Sequence, residues 1–479
     1  MRQRWQGWWV VALWLGLLWA WLGQHPVLNS DALYLFDLAD GLFKGRRGLL
    51  WDLPQAPSFF PDLGVVWAIR LLVPAPQACL RFYGLCMGLW AWSALDAFQC
   101  AWLGLEPGGS RPLAALGLVL ALLLAAPQTA LNAWLLPGHH GSAFIASLML
   151  GAWGLRQSRG PQAWSCNFLA AGLAGLLLGS DAFFGLWGLA PLLWLGWRSG
   201  AVMTRRGWLA VGVLAMACLL MLALPSLAGA RVSSLPFRLL ADRGWRGQAA
   251  ALEPLGGILA DSGALLVVVG LALALVLIPG RGRVAGGRAW SGGVLLAFLM
   301  TLWVMAFMGS VNGRYLYLAG LLPLWLLPAL AVERWGPIRR AVPVILGMVG
   351  LAALAFVASA PQSVPLERRQ AAWLDGVLAK RGLSFGWADY WSARPLRLFS
   401  QGATLTVPVI ADGAGQFQPY FWIGDRSLFL ADHFLEEPQF VVQNGLDEAS
   451  LRRQMGQPHE TLQGEGLRVL IYGDRSKKP

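Results

Sequence analysis

Three aspartates, a histidine pair and a set of arginines are the residues of this chain whose types and spacing could do chemistry. In NSDALYLFDLADGLFKGRRG (29–48), Asp31, Asp37 and Asp40 precede the basic cluster Lys44, Arg46 and Arg47. On a helix Asp37 and Asp40 share a face, and Asp31 falls at its start, where Ser30 or Asp31 could cap the free amides. A carboxylate held there can take a proton from a hydroxyl. The structural alternative is a capped amphipathic helix lying on a membrane surface. In PGHHGS (137–142), His139 and His140 stand between glycines at a helix entrance, able to serve as base, ligand or cation, or as a plain polar turn.

Asp181 in GSDAFFG (179–185) opens a further helix, as a hydroxyl-binding carboxylate or as its N-cap. The segment SLPFRLLADRGWRG (234–247) carries Arg238, Asp242, Arg243 and Arg246, with charge for a phosphate and aromatics for a sugar face or lipid headgroup. In GSVNGRYLYLAG (309–320), Arg314 leads into a helix with Tyr315 and Tyr317, placed to grip a diphosphate or to anchor at an interface. Asp96 falls inside an apolar run, as a functional group or as a partner of Arg70 or Arg81.

The elements that must position these residues are apolar. The chain is 57% hydrophobic and 13% charged, against about 25% charged in a soluble domain. Its net charge is +12, yet from Pro361 onward 13 basic and 13 acidic side chains cancel, leaving 24 basic against 12 acidic before it. That asymmetry fits cytoplasmic loops facing an anionic leaflet and argues against nucleic-acid binding, which needs a basic patch on a soluble surface. Runs long enough to cross a bilayer occupy 8–23, 82–103, 113–131, 141–155, 166–180, 183–197, 208–229, 262–279, 290–309, 315–332 and 341–360. The expected architecture is therefore an α-helical polytopic membrane protein with about eleven transmembrane helices over residues 1–360. The basic N-terminus MRQRW leads into a long Trp-rich run without a clean cleavage site, read as a retained first helix.

The most basic short connections carry Arg156/Arg159, Arg198/Arg205/Arg206, Arg281/Arg283/Arg288 and Arg334/Arg339/Arg340. The positive-inside rule puts these in the cytoplasm with the N-terminus. Segments 24–60, 132–140, 230–261 and 310–314, Asp181 and the tail then lie outside. The run FFPDLGVVWAIRLLVP (59–74) would reverse that parity if it crossed, so it reads as an outer-face juxtamembrane or re-entrant piece. The tail, 361–479, reads as a small soluble α/β domain. Helices are expected over 366–382 and 447–456 and strands over 403–410, 439–444 and 468–473, with no phosphate loop or nucleophile elbow. The five cysteines lie in or beside apolar runs, as small core hydrophobes rather than a disulfide framework.

The apolar first helix, the outer loop opening on an acidic residue, the Pro-rich bend PSFFPDLGVVWAIRLL, the following RFYGLCMGLWAWSALDA and the late RYLYLAGLLPLWLLPAL together resemble the C-type (GT-C) membrane glycosyltransferases, which include protein O-mannosyltransferases and lipid A aminoarabinose transferases. That resemblance implies transfer of a sugar from a polyprenyl-phosphate donor to a lipid, glycan or protein acceptor on the extracytoplasmic face of a bacterial inner membrane. It implies Asp31 as the catalytic base, with Asp37 or Asp40 as substitutes, because the family's directly adjacent acidic pair is here Asp31 followed by Ala32. It implies Arg314 for the carrier phosphate, with His139, His140 and Arg243 as further binding residues, Asp181 for acceptor hydroxyls and Tyr315 beside Arg314. No metal motif is present, and a divalent cation is the one cofactor left open. A transporter or flippase of a lipid-linked glycan would need charges at depth in several helices, where Asp96 is nearly alone. A non-catalytic scaffold would leave the polar clusters unused.

Overall fold

The protein is described by a computed structural model covering residues 2–24, 30–43, 51–54, 58–124, 135–138, 140–157, 164–181, 184–198, 204–227, 230–232, 325–326, 328–329, 331–332, 338–359, 364–402, 404–426, 428 and 438–472. It is mostly helical with small sheets. Helices α1 (Arg2–Gln24), α2 (Ser30–Phe43), α3 (Gly64–Leu72), α4 (Pro76–Leu103), α5 (Arg111–Leu124), α6 (Gly141–Gln157), α7 (Trp164–Ser180), α8 (Ala190–Arg198), α9 (Arg205–Leu227) and α10 (Ile338–Ser359) precede the tail, with β1 (Trp51–Leu53) and β2 (Arg231–Val232) in the connections. The tail contains α11 (Leu366–Ala379), β3 (Phe385–Ala388), α12 (Tyr390–Phe399), β4 (Leu405–Ala411), β5 (Phe417–Pro419), β6 (Gly424–Asp425), β7 (Phe440–Val442), α13 (Glu448–Met455), β8 (Glu460–Gly464) and β9 (Leu467–Ile471).

The expected count of about eleven spans is not carried by the described residues. Among them one helix, α9, is both long and apolar enough to cross a membrane. Trp9–Gly23, Arg111–Leu122, Cys166–Ser180 and Ala341–Ala352 are shorter apolar stretches. The expected runs 262–279 and 290–309 lie outside the described residues. Two of the described helices are diluted by polar residues, since α1 begins in Arg and Gln and α4, though 28 residues long, includes Arg81 and Asp96. Asp96 itself corrects an expectation, because it pairs with neither Arg70 nor Arg81. Its carboxylate accepts from the Ser110 amide at 3.2 Å and hydroxyl at 2.7 Å, securing the turn that begins α5. Arg70 instead grips Asp40 through two bonds of 2.7 and 2.8 Å.

The helices meet through glycine. In α4, Gly84 and Gly88 face α1, where an added Cβ would reach Leu22 at 2.7 Å and Leu18 at 2.1 Å, and the Trp14 indole donates to the Gly88 carbonyl at 3.0 Å. In α7, Gly175 and Gly179 lie against the α9 backbone, where a Cβ would stand 2.2 Å from the Leu214 carbonyl and 2.7 Å from that of Cys218. Small residues four apart that let backbones touch are the packing device of helices in an apolar solvent. The far side of α9 is apolar too and exposed, with Leu219, Leu220 and Leu227 at 61%, 61% and 83%. Segment 59–74 forms a kinked turn, Phe59–Leu63, with Phe60 extended, and then α3, whose nine residues rise only about 14 Å, too little to cross a bilayer. Of the five free cysteines Cys79 and Cys100 are buried, whereas Cys86 and Cys166 are exposed rather than in a core.

The tail carries a six-stranded sheet in the order β5-β4-β3-β7-β9-β8, parallel where β3 meets β4 and β7 and antiparallel elsewhere. Strand alternation splits its side chains between two cores. Phe385, Trp387, Val407, Val441 and Leu470 form one, and Phe440, Val442, Val469 and Ile471 join α11, α12 and the main helical core. Asp389 caps α12 by accepting from the Trp391 and Ser392 amides, and Asp447 caps α13 through the Ser450 amide. A second sheet ties distant segments together: β1 pairs parallel with β2 and antiparallel with β6. Arg426 reinforces it by reaching Asp52 at 2.6 Å.

Arg394 of α12 is the bolt of this junction. It is 4% exposed and donates to Asp37, to the Ser30 carbonyl and to the Ile423 carbonyl. Removing it strands the two carbonyls and leaves Asp37 with Arg397 as its remaining cation. Arg394→Met is expected to destabilise the protein by about 2–4 kcal/mol and to speed proteolytic release of the tail. Arg381→Met, which breaks an exposed pair with Glu460, is the control expected to leave both readouts unchanged. Thermal unfolding with limited proteolysis measures both, and an unchanged Arg394→Met protein would refute this role.

Candidate functional site

Four segments converge under the tail: the start of α2, the 58–62 turn, the 138–140 turn that enters α6, and the Ser180–Asp181 end of α7. Backbone bonds fix the second against the fourth, since the Ser58 amide donates to the Ser180 carbonyl at 3.2 Å and the Phe60 amide to the Ser180 hydroxyl at 2.8 Å. Asp62 then points inward, 1% exposed, and accepts from the Tyr83 hydroxyl at 2.8 Å and the Gly138 amide at 3.0 Å. Burial pushes its carboxyl above the usual range, against the hydrogen bonds from Ser142, Gly138 and Tyr83 that lower it.

His140 and Asp181 form a pair, Nδ1 to Oδ2 at 2.6 Å, with side chains 11% and 5% exposed. The carboxylate fixes the orientation of the ring. His140 adopts φ +67° and Ser58 φ +49°, two non-glycine residues in the left-handed region on either side of the same cluster. Tyr34, one helical turn after Asp31, is fully buried and hydrogen-bonded to Ser58. Burial first, and then the charges of Asp62, Asp31 and Asp181, hold its hydroxyl well above the ordinary tyrosine range. It is a permanent donor amid three carboxylates.

Asp31 is half-buried, and its Oδ1 accepts from the Tyr390 hydroxyl of α12 at 2.7 Å. Burial, then the Asp31 charge, raises Tyr390. The expected capping by Ser30 takes another form, because its hydroxyl donates to the Tyr390 and Trp391 carbonyls. Tyr420 closes edge-on over Tyr390 at 5.6 Å between ring centroids.

The structure thus brings Asp31, His140 and Asp181 to one place. It puts Asp37 and Asp40 elsewhere, on a polar cavity of about 310 Å³ lined also by Arg70, Arg397 and Asp425. There Asp37 is held between Arg394 and Arg397, and Asp40 by Arg70. His139, Arg243, Arg314 and Tyr315 lie outside the described residues. Among the described residues no three His, Cys, Asp or Glu side chains are grouped as metal ligands. Sequence reasoning missed Asp62, Tyr34, Tyr83 and Tyr390. The signal was rarity: the chain has 27 tryptophans but seven tyrosines, and Tyr34, Tyr83, Tyr390 and Tyr420 all gather here. No family model, curated protein or solved structure matches the chain.

Gly138, at φ +77°, has no room for a side chain, since a Cβ would meet Tyr34 Cε1 at 2.9 Å and the Asp31 carbonyl at 3.3 Å. Gly138→Ala is expected to cost roughly 1–3 kcal/mol through left-handed strain and displacement of Tyr34. Gly16→Ala, where nothing lies within 4 Å, is the control and should be neutral or stabilising. Equal melting temperatures for the two variants would contradict the packing described.

Proposed function

We propose that this chain is a multi-span membrane glycosyltransferase of the GT-C type, acting on the extracytoplasmic face of a bacterial inner membrane. The observation that carries the reading is Asp31, a half-buried carboxylate oriented by Tyr390 where the first loop, two helix ends and the tail meet. Two further features support it. The segments assigned to the outer face by loop charge are those that gather, through His140–Asp181, Gly138–Asp62 and the β2-β1-β6 sheet. Glycine-mediated helix contacts and the exposed apolar face of α9 suit a lipid solvent, with further spans in 262–332 and the short apolar helices completing the membrane part.

In this reading the Asp31 carboxylate takes the proton of the acceptor hydroxyl as its oxygen bonds to the sugar anomeric carbon. The bond from that carbon to the phosphate oxygen breaks, its electron pair leaves with the polyprenyl phosphate, and configuration inverts. Arg314 binds the leaving phosphate, with Arg243 and His139 as further contacts and Tyr315 beside it. His140, held by Asp181, orients acceptor hydroxyls. A transporter reading draws nothing from Asp96, which is engaged by Ser110.

Sugar transfer from a radiolabelled pool of polyprenyl-phosphate sugars, in membranes carrying matched amounts of each protein, tests this. Asp31→Asn is expected to lower transfer by about 10²–10⁴-fold, Arg314→Ala to abolish it, and Arg381→Met to leave it unchanged. Absence of transfer by the natural protein from a broad donor pool, or full activity of Asp31→Asn, would overturn the proposal.

A further inference from the structure

A cavity of about 660 Å³ opens between the end of α1, the start of α4 and the tail, apart from the Asp31 cluster. Its size is that of a small-molecule site. Two arginines reach into it, Arg81 and Arg368, and no acidic side chain is among the described lining residues, the nearby Asp375 being engaged by Ser400 and Gln401. Arg81 is only partly satisfied. Its guanidinium lies 5.7 Å over the Trp19 ring, Nη2 makes a long 3.4 Å bond to the Gly23 carbonyl, and its buried Nε has no hydrogen-bond partner. Arg368, from α11, holds Gln77 at 3.3 Å. The floor is the N-terminus of the 28-residue α4, which starts at Pro76 with no side-chain cap, so its first amides and the helix dipole add to the positive field. Trp19, Val364, Leu398 and Phe399 form apolar walls, with Ser400 and Gln401 beside them.

We propose that this cavity binds the phosphate of an anionic membrane phospholipid. Two guanidiniums over an uncapped helix start are a phosphate grip, and the lack of any acid among the described lining residues calls for a ligand of net negative charge. The depth selects a lipid. The cavity lies where the apolar stretch Trp9–Gly23 ends, with half-exposed Trp19 stacked edge-on with Phe82 at 5.7 Å, which is the headgroup level of an aromatic belt. Val364, Pro365, Arg368 and residues 398–401 line it from the tail. The bound lipid would thereby clamp the tail to α1 and α4. This inference rests on the membrane reading of α1 and is independent of the glycosyl-transfer chemistry.

The test is thermal unfolding of the full chain in nanodiscs of phosphatidylcholine with and without phosphatidylglycerol, beside carbonate extraction of the natural protein from membranes. Phosphatidylglycerol is expected to raise the midpoint by roughly 2–4 °C, and Arg81→Gln/Arg368→Gln to abolish the rise. The readout is a difference between two lipids, so a variant with a lower baseline still reports, and the exposed single variant Arg368→Gln should retain part of the rise. No lipid-dependent rise, a rise undiminished in the double variant, or an equal rise from soluble glycerol phosphate would each overturn the lipid site. With the chain in the carbonate pellet that failure concerns this site alone. A chain in the supernatant overturns the membrane reading as well.

Discussion

A buried guanidinium with no water to solvate it must find acceptors in the protein, and the junction between helices and tail is built around that requirement. Arg394 meets it with the Asp37 carboxylate and the carbonyls of Ser30 and Ile423, drawn from α2 and from the turn before β6. The three acceptors belong to segments hundreds of residues apart, so satisfying one side chain sets the relative position of both. Tyr390, one turn earlier on the same helix, is delivered to Asp31 as a consequence. The polar interactions at Asp37 and Asp31 are therefore one mechanical unit, in which the first carries the joint and the second is aimed by it.

The helical part obeys a different constraint. Backbone contact at Gly88 and Gly175 brings helix axes close enough for carbonyls and small groups to pack without long side chains between them. Such contacts make sense where the surrounding medium is as apolar as leucine and hydrophobic burial drives nothing. The exposed leucines of α9 leave an apolar face that none of the described residues covers.

Much of this was legible in the sequence and some was not. Helices α11 and α13 and strands β4, β7 and β9 fall within a few residues of where the sequence puts them, whereas β3, α12, β5, β6 and β8, short or built around Pro395, were not foreseen. α4 starts on Pro76 and ends before Gly104 at φ +72°, the expected punctuation of a helix. Asp31, His140 and Asp181, each singled out in the sequence as a polar residue at a helix end, come together in the structure around Tyr34 and Gly138. The spacings Gly84-x-x-x-Gly88 and Gly175-x-x-x-Gly179 went unread in the sequence, and only the structure shows them as helix contacts. The division of labour among the aspartates was not legible either, because Asp31, Asp37 and Asp40 look alike until their partners, 30 to 360 residues away, are known. Asp62 was hidden for the same reason, since its donors Tyr83 and Gly138 come from two other segments.

Within the cluster, burial separates the carboxylates by task. Asp62 and Asp181 are 1% and 3% exposed and committed to Tyr83, Gly138 and His140, so each holds backbone turns and a ring in place. A proton acceptor must instead reach an incoming hydroxyl. Asp31 is the member that is half-buried, and its described partner is a neutral phenol, which orients the carboxylate without neutralising it. Because Tyr390 is raised by burial and by the Asp31 charge, that phenol keeps its proton whenever Asp31 is ionised. The tail thus supplies a donor that never competes as a base, and Asp31 is the carboxylate of this cluster that α12 engages.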